Sequence, residues 1–125
     1  MNGSRKLIPI YTSHGAVGAY LVYPYLYNTE GEWIGWVNAE KEVYSVNGRL
    51  VGFLTPEPRI LRTREWGNKK ASQQPPQAPK RIRTPAQAPF APPLPELANN
   101  MVDVLENISH NLPSLDFGDF QDDSE

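Results

Sequence analysis

The chain has 125 residues, no cysteine and a formal net charge of −2. That length allows one domain of ordinary size, or a smaller one with tails, and the lack of cysteine excludes a disulfide scaffold and a thiolate metal site. The near-neutral total hides a dipole: residues 1–83 carry all twelve Lys and Arg against six acids, a balance of +6, whereas residues 84–125 carry eight acids and no Lys or Arg, a balance of −8.

The N-terminal run Met1-Asn2-Gly3-Ser4-Arg5-Lys6 is followed by Pro9 and the polar Thr12-Ser13-His14. No apolar stretch approaches the roughly 20 residues needed to span a bilayer. The expectation is a cytoplasmic protein, neither inserted in a membrane nor exported by a standard signal.

Residues 5–64 are read as a β-hairpin repeat domain. Leu26-Tyr27-Asn28-Thr29-Glu30-Gly31-Glu32-Trp33-Ile34-Gly35-Trp36-Val37 aligns without gaps to Val43-Tyr44-Ser45-Val46-Asn47-Gly48-Arg49-Leu50-Val51-Gly52-Phe53-Leu54, 17 residues later. Ile10 to Tyr20 is a looser copy with one residue fewer between its two glycines. β-branched and aromatic residues flank each first glycine, as strands prefer. Asn47-Gly48 reads as a two-residue type I′ turn, because both central positions need positive φ. Tyr44 would then face Val51 and Val43 would face Gly52; Tyr27 would face Ile34 and Leu26 would face Gly35.

A glycine inside a strand marks a bulge or the close approach of another backbone. Recurrence at Gly18, Gly35 and Gly52 therefore predicts one packing contact made three times. Neither strand face is polar. One carries Tyr23, Tyr25, Tyr27, Ile34 and Trp36, continued by Tyr44, Val51 and Phe53; the other carries Leu26, Trp33 and Val37, continued by Val43, Leu50 and Leu54. Both need cover, from neighbouring hairpins in a closed mini-barrel or from a second copy in a homo-oligomer.

The run from Ile8 to Leu61, with Ile10-Tyr11, His14-Gly15, Tyr27-Asn28-Thr29-Glu30-Gly31, Trp33-Ile34-Gly35-Trp36 and Val43 to Leu54, resembles the four-fold beta-flower domain of small bacterial proteins. The Gly-x-x-aliphatic-Gly rhythm is shared with PRC-barrel domains. The resemblance implies hairpins arranged as petals and carries over no catalytic residue. Three copies are plain; Arg59 to Trp66 is the candidate for a fourth, without a turn glycine. The fold class expected is thus mainly β: three to four repeated hairpins in a flower or mini-barrel, a disordered Pro-rich linker, and one short C-terminal amphipathic helix.

Residues 65–94 read as the basic, Pro-rich linker, extended and polyproline-II-like. Eight of the thirteen prolines lie between Pro75 and Pro95, and Pro76-x-x-Pro79, Pro89-x-x-Pro92 and Pro92-x-x-Pro95 match a polyproline-II ligand pattern. From Arg59 to Arg83 there are eight cations, Arg59, Arg62, Arg64, Lys69, Lys70, Lys80, Arg81 and Arg83, against the single acid Glu65. Beside exposed Tyr and Trp rings these cations could hold a nucleic acid, in competition with the acidic tail.

Residues 95–111 read as an amphipathic helix. Leu97, Met101, Val104, Leu105, Ile108 and Leu112 recur at three- and four-residue spacings, and Pro113 ends the run. The stripe would dock on its own β module, on a partner or on another copy. Residues 112–125 alternate acids with Phe117 and Phe120, as in a short linear motif or a solubilising tail.

No catalytic, cofactor or metal site is expected. His14 and His110 stand in separate segments without ligand spacing, and no glycine-rich loop opens a helix. The functional expectation is a non-catalytic interaction or scaffold protein, self-associating through its β module. Leu97, Met101, Leu105, Ile108, Phe117 and Phe120 would contact a protein partner; the alternative is a nucleic-acid-binding protein using residues 59–83.

Overall fold

A computed structural model describes residues 6–65 and 73–114 of the chain. Eight antiparallel strands follow one another in sequence order within a single sheet: β1 (Ile8–Tyr11), β2 (Val17–Val22), β3 (Tyr25–Tyr27), β4 (Trp33–Val37), β5 (Glu42–Ser45), β6 (Leu50–Leu54), β7 (Ile60–Thr63) and β8 (Met101–Asp103). They form four consecutive hairpins. A 3-10 turn (Val104–Asn107) and one short helix, α1 (Ile108–Asn111), end the described chain.

One local rule builds five of the connections. Thr12, Asn28, Asn38, Ser45 and Thr55 each donate their main-chain N–H to the carbonyl four residues on, at 2.7–3.0 Å. Their side-chain oxygens accept from the backbone inside the loop: Asn28 Oδ1 takes Glu30 and Glu32, Asn38 Oδ1 takes Glu40 and Glu42, and Ser45 Oγ takes Asn47 and Arg49. Short polar side chains hold turns in this way by substituting for main-chain acceptors. The fourth residue of four of these loops has positive φ, at Gly15, Gly31, Lys41 and Gly48.

These loops are a turn plus a one-residue bulge, not the two-residue type I′ turn expected at Asn47-Gly48. The register shifts at the same place in hairpins 1, 2 and 3, between Ile10 and Tyr11, Leu26 and Tyr27, and Val43 and Tyr44. Leu26 pairs with Gly35 and Val43 with Gly52 as expected, but past the bulge Tyr27 meets Trp33 and Tyr44 meets Leu50. The link between β2 and β3 is the tight Tyr23-Pro24 turn, with a cis peptide bond as type VI turns have.

The extra residue also reassigns the faces. Ile34 joins Leu26, Val37 and Val43 in the main core with Ile10, Leu21 and Ile60, and Val51 packs there too. Trp33 moves to the opposite face, beside Trp36, Tyr44 and Val46, with Leu50 and Tyr25 against them. Of the three strand glycines, Gly35 and Gly52 share one contact: a Cβ there would meet a carbonyl of the next strand pair, that of Tyr44 or that of Leu61. In hairpin 1 that position, opposite Ile10, is Ala19, and Gly18 instead clears space for Thr12 and Leu105.

The fourth hairpin completes the repeat. Ile60 stands 17 residues after Val43, but β7 takes its partner from far along the chain: Leu61 faces Asp103, Arg62 faces Val102 and Thr63 faces Met101. The expected helix over 95–111 is therefore corrected. Residues 101–103 are strand, and helical structure begins only at Val104, where Asp103 accepts the Leu105 N–H at 3.1 Å as a cap. Pairing with β8 satisfies main-chain groups on the edge of β7 that a helix over these residues would leave open, and a helix of that length is marginal alone. The β module likewise does not stop at residue 64. Val104, Leu105 and Leu112 lie in the main core at 0, 5 and 1 % exposure.

Candidate functional site

The fold divides the predicted contact residues sharply. Leu105 is buried in the main core and Ile108 packs against it, while Met101 and Leu97 are half-buried. The apolar stripe thus docks on its own module, and Leu105 is not open to a partner. Phe117 and Phe120 lie outside the described residues, as do Lys69 and Lys70.

The remaining cations are not one patch. The Arg59 side chain is 3 % exposed; it pairs with Glu57 at 3.1 Å and donates to Ser13 Oγ at 3.0 Å. Glu57 sits below the usual carboxylate range because of a hydrogen bond from the Thr55 hydroxyl, then the bond from Arg59, against an opposing push from burial. Arg59 is thus a structural cation, not an anion-binding one. Arg62 is half-buried and donates to the Thr63 carbonyl, and Arg64 donates to that of Asn99. Lys80, Arg81 and Arg83 are exposed.

Residues 73–94 carry those three cations as a strap without helix or strand. The strap is bonded to two hairpin tips. Gln73 donates its N–H to the Gly48 carbonyl at 2.9 Å, and Ile82 donates to that of Gly31 at 3.0 Å. A Cβ on Gly48 would strike the Gln73 carbonyl and one on Gly31 the Ile82 carbonyl, so glycine serves the turn and the close approach together. Around the second tip Thr84 Oγ1 donates to the Thr29 carbonyl at 2.9 Å, and Arg81 reaches the Glu30 carbonyl at 3.2 Å and Glu32 at 3.8 Å. Gly31 and Gly48 are buried, whereas Gly15 at the first tip is exposed with nothing within 4 Å of its Cβ position.

Burial along the strap has a period of three. Pro76, Pro79 and Ile82 are half-buried, and the residues between them, Gln77, Ala78, Lys80 and Arg81, are exposed. A polyproline-II helix has three residues per turn, so these positions share one face. That face is turned to the protein; Lys80 and Arg83 are exposed, while Arg81 bends back to Glu30 and Glu32. Sequence reasoning placed the linker and its PxxP spacing but missed this register, which the continuation of Pro76-x-x-Pro79 to Ile82 already encodes.

The strands that end in the two anchored tips carry the second apolar cluster. Trp36 stacks on Tyr44, with centroids 5.1 Å apart and planes 11° apart. Burial, then the charge of Glu42, pushes the Tyr44 hydroxyl up, and the hydroxyl donates to Glu42 Oε1 at 3.3 Å. Trp33, Trp36 and Tyr44 are at most 8 % exposed, so these rings are not open for stacking on bases.

Four hairpins run in sequential antiparallel order, the last closed by residues 101–103, and the family model for the 4-fold beta flower protein matches residues 8–105. The chain belongs to the 4-fold beta flower family. No curated protein and no solved structure matches it. Each hairpin is thus a petal, and the match runs past β7 to take in β8, in keeping with the fourth petal being β7 with β8. The strap lies in the long connection between β7 and β8, where the other petals have a short tip.

Two further features bear on chemistry. His14 Nδ1 lies 2.6 Å from Glu106 Oε2, joining the first tip to the 3-10 turn, and His110 is exposed on α1. Among the described residues no three His, Asp or Glu side chains stand together as a metal would need, and no helix is long and apolar enough to cross a membrane. A cleft of about 640 Å³ opens between the second tip and α1, lined by Gly18, Glu30, Glu32, Ile108 and Leu112 among others.

Proposed function

We propose that this flower is a non-catalytic interaction module that presents the outward face of its strap to a protein partner with an acidic, partly apolar surface. The observation that carries the reading is the solvent-facing set Lys80, Arg83 and Phe90, the last 98 % exposed. A large aromatic ring held fully in water on a segment tied to a folded body is a contact residue in waiting. Pinning the strap at two tips lowers the ordering cost of binding, and the cations steer an acidic partner.

Nucleic acid is the competing ligand for the same cations. Phosphate contacts need only the charges, but ring stacking needs open rings, and those of Trp33, Trp36 and Tyr44 are buried. The test is quantitative affinity capture with the full chain and with a Lys80→Glu, Arg83→Glu, Phe90→Ser variant. The variant should lose a specific protein that the wild type retains. Equal capture by both would defeat the proposal, and strong, steeply salt-dependent retention of single-stranded nucleic acid by the wild type would replace it.

A further inference from the structure

We infer that the outer face of petals 2 and 3 is a recognition groove for polyproline-II segments, filled in this chain by its own strap. The inference is independent of the outward-facing contact proposed above, because it concerns the opposite face of the strap.

Four observations converge. The strap meets the protein through every third residue, Pro76, Pro79 and Ile82, the spacing at which a polyproline-II ligand shows one face. Its main chain is fixed at both ends of that stretch, Gln73 to Gly48 and Ile82 to Gly31, and both tips lack the Cβ that would block it. The strands leading to these tips carry the Trp33, Trp36 and Tyr44 rings. At the rim, Glu32 and the Glu30 carbonyl receive Arg81.

Aromatic grooves recognise Pro-rich ligands because such ligands are already extended and lose little entropy on docking. The ligand read out here is Pro-x-x-Pro-x-x-aliphatic, with Arg immediately before the aliphatic residue. In the strap the prolines are the half-buried Pro76 and Pro79, the Gly31 carbonyl receives the Ile82 N–H, and the acidic rim receives Arg81. The occupant assigned in trans is a partner segment of this chemistry. The strap competes with it at an effective concentration on the order of millimolar, so the groove opens to outside ligands only when the strap is weakened.

The experiment uses the full chain, a labelled peptide with the sequence of residues 73–84, and a scrambled control. Anisotropy is read against the wild type and against a Pro76→Ser, Pro79→Ser, Ile82→Ser variant. The native peptide should bind the variant at least tenfold more tightly than it binds the wild type, and the scrambled peptide should bind neither. Should the variant fail to fold, the wild type titrated to millimolar peptide supplies the result: the indole signals of Trp33 and Trp36 and the amides of Gly31 and Gly48 should shift together. No binding to a folded variant, equal binding of the scrambled peptide, or an unchanged wild-type spectrum would overturn the assignment. A concentration-dependent dimer without peptide binding would also overturn it, giving the groove to a second copy.

Discussion

Asp103 Oδ2 accepts the main-chain N–H of Ser13 at 2.6 Å, across 90 positions of sequence. The sheet order leaves β1 and β8 at opposite ends, yet this bond joins the first petal to the last. Arg59 reinforces it by donating to Ser13 Oγ, as does the Tyr11 N–H by donating to the Pro58 carbonyl at 3.0 Å. Asp103 is 4 % exposed and also caps the 3-10 turn through the Leu105 N–H.

Removing that carboxylate strands two donors at once. Asp103→Ala should lower stability by about 3 kcal/mol, since each buried, unpaired group costs about 1–3 kcal/mol. Ser13→Ala keeps the N–H and loses only the bond from Arg59, so it should cost about 1 kcal/mol. Urea denaturation of both variants checks this. Equal losses would mean that the Ser13–Asp103 bond does not tie the first petal to the last.

The tip glycines separate a turn requirement from a strap requirement. Gly15, Gly31 and Gly48 all have positive φ, which costs a residue with a Cβ about 1–2 kcal/mol. Only Gly31 and Gly48 also lie against the strap. Gly15→Ala should therefore cost about 1 kcal/mol, and Gly31→Ala or Gly48→Ala about 1 kcal/mol more. The latter two should also lose hydrogen-exchange protection at Ile82 or Gln73. Lys41 occupies the equivalent position with φ 69°. Lys41→Gly should raise stability by up to about 1 kcal/mol, the relief of φ being offset in part by glycine's entropy.

Glu57 sets an acid limit. Its folded-state value lies below the ordinary 4.5, because of the Thr55 hydroxyl first and Arg59 next. A depressed carboxylate stabilises fully above its unfolded value and loses that contribution as pH falls through the folded one. Stability should thus decline on acidification below about pH 4.5. Glu57→Gln should flatten that decline and cost about 2 kcal/mol at neutral pH, because it leaves Arg59 buried without its partner. Thermal melts between pH 2.5 and 7 check both; an unaltered acid limb in the variant would remove Glu57 from the account.

The repeat was legible because its glycines are constrained, those at the tips by φ and those in the strands by close approach. Its register was half legible. Asn47-Gly48 signals a type I′ turn so strongly that it masks Ser45, whose hydroxyl organises the loop from two residues earlier. The shared device is Thr, Ser or Asn three residues before the positive-φ position, and only the side-by-side comparison of Thr12, Asn28, Asn38 and Ser45 exposes it. The 97–112 stripe misled for a different reason. Three- and four-residue spacing is met by a strand, a 3-10 turn and a helix in succession, provided that all bury onto one core. Periodicity within a window cannot report that β7 has an edge waiting. The candidate site was visible only as its parts, prolines and cations, because its register depends on which face of the strap is turned inward.

Late arrival of β8 has a consequence for synthesis. A nascent chain that has emerged only as far as residue 64 carries seven of the eight strands and none of the segment that seals them. Until Met101 to Leu112 leave the ribosome, β7 presents bare amides and carbonyls and the apolar floor stands open, the state in which strands pair with strangers. Gene fragments cut at the apparent end of the repeats would be trapped there permanently, and should be sticky where the whole chain is not.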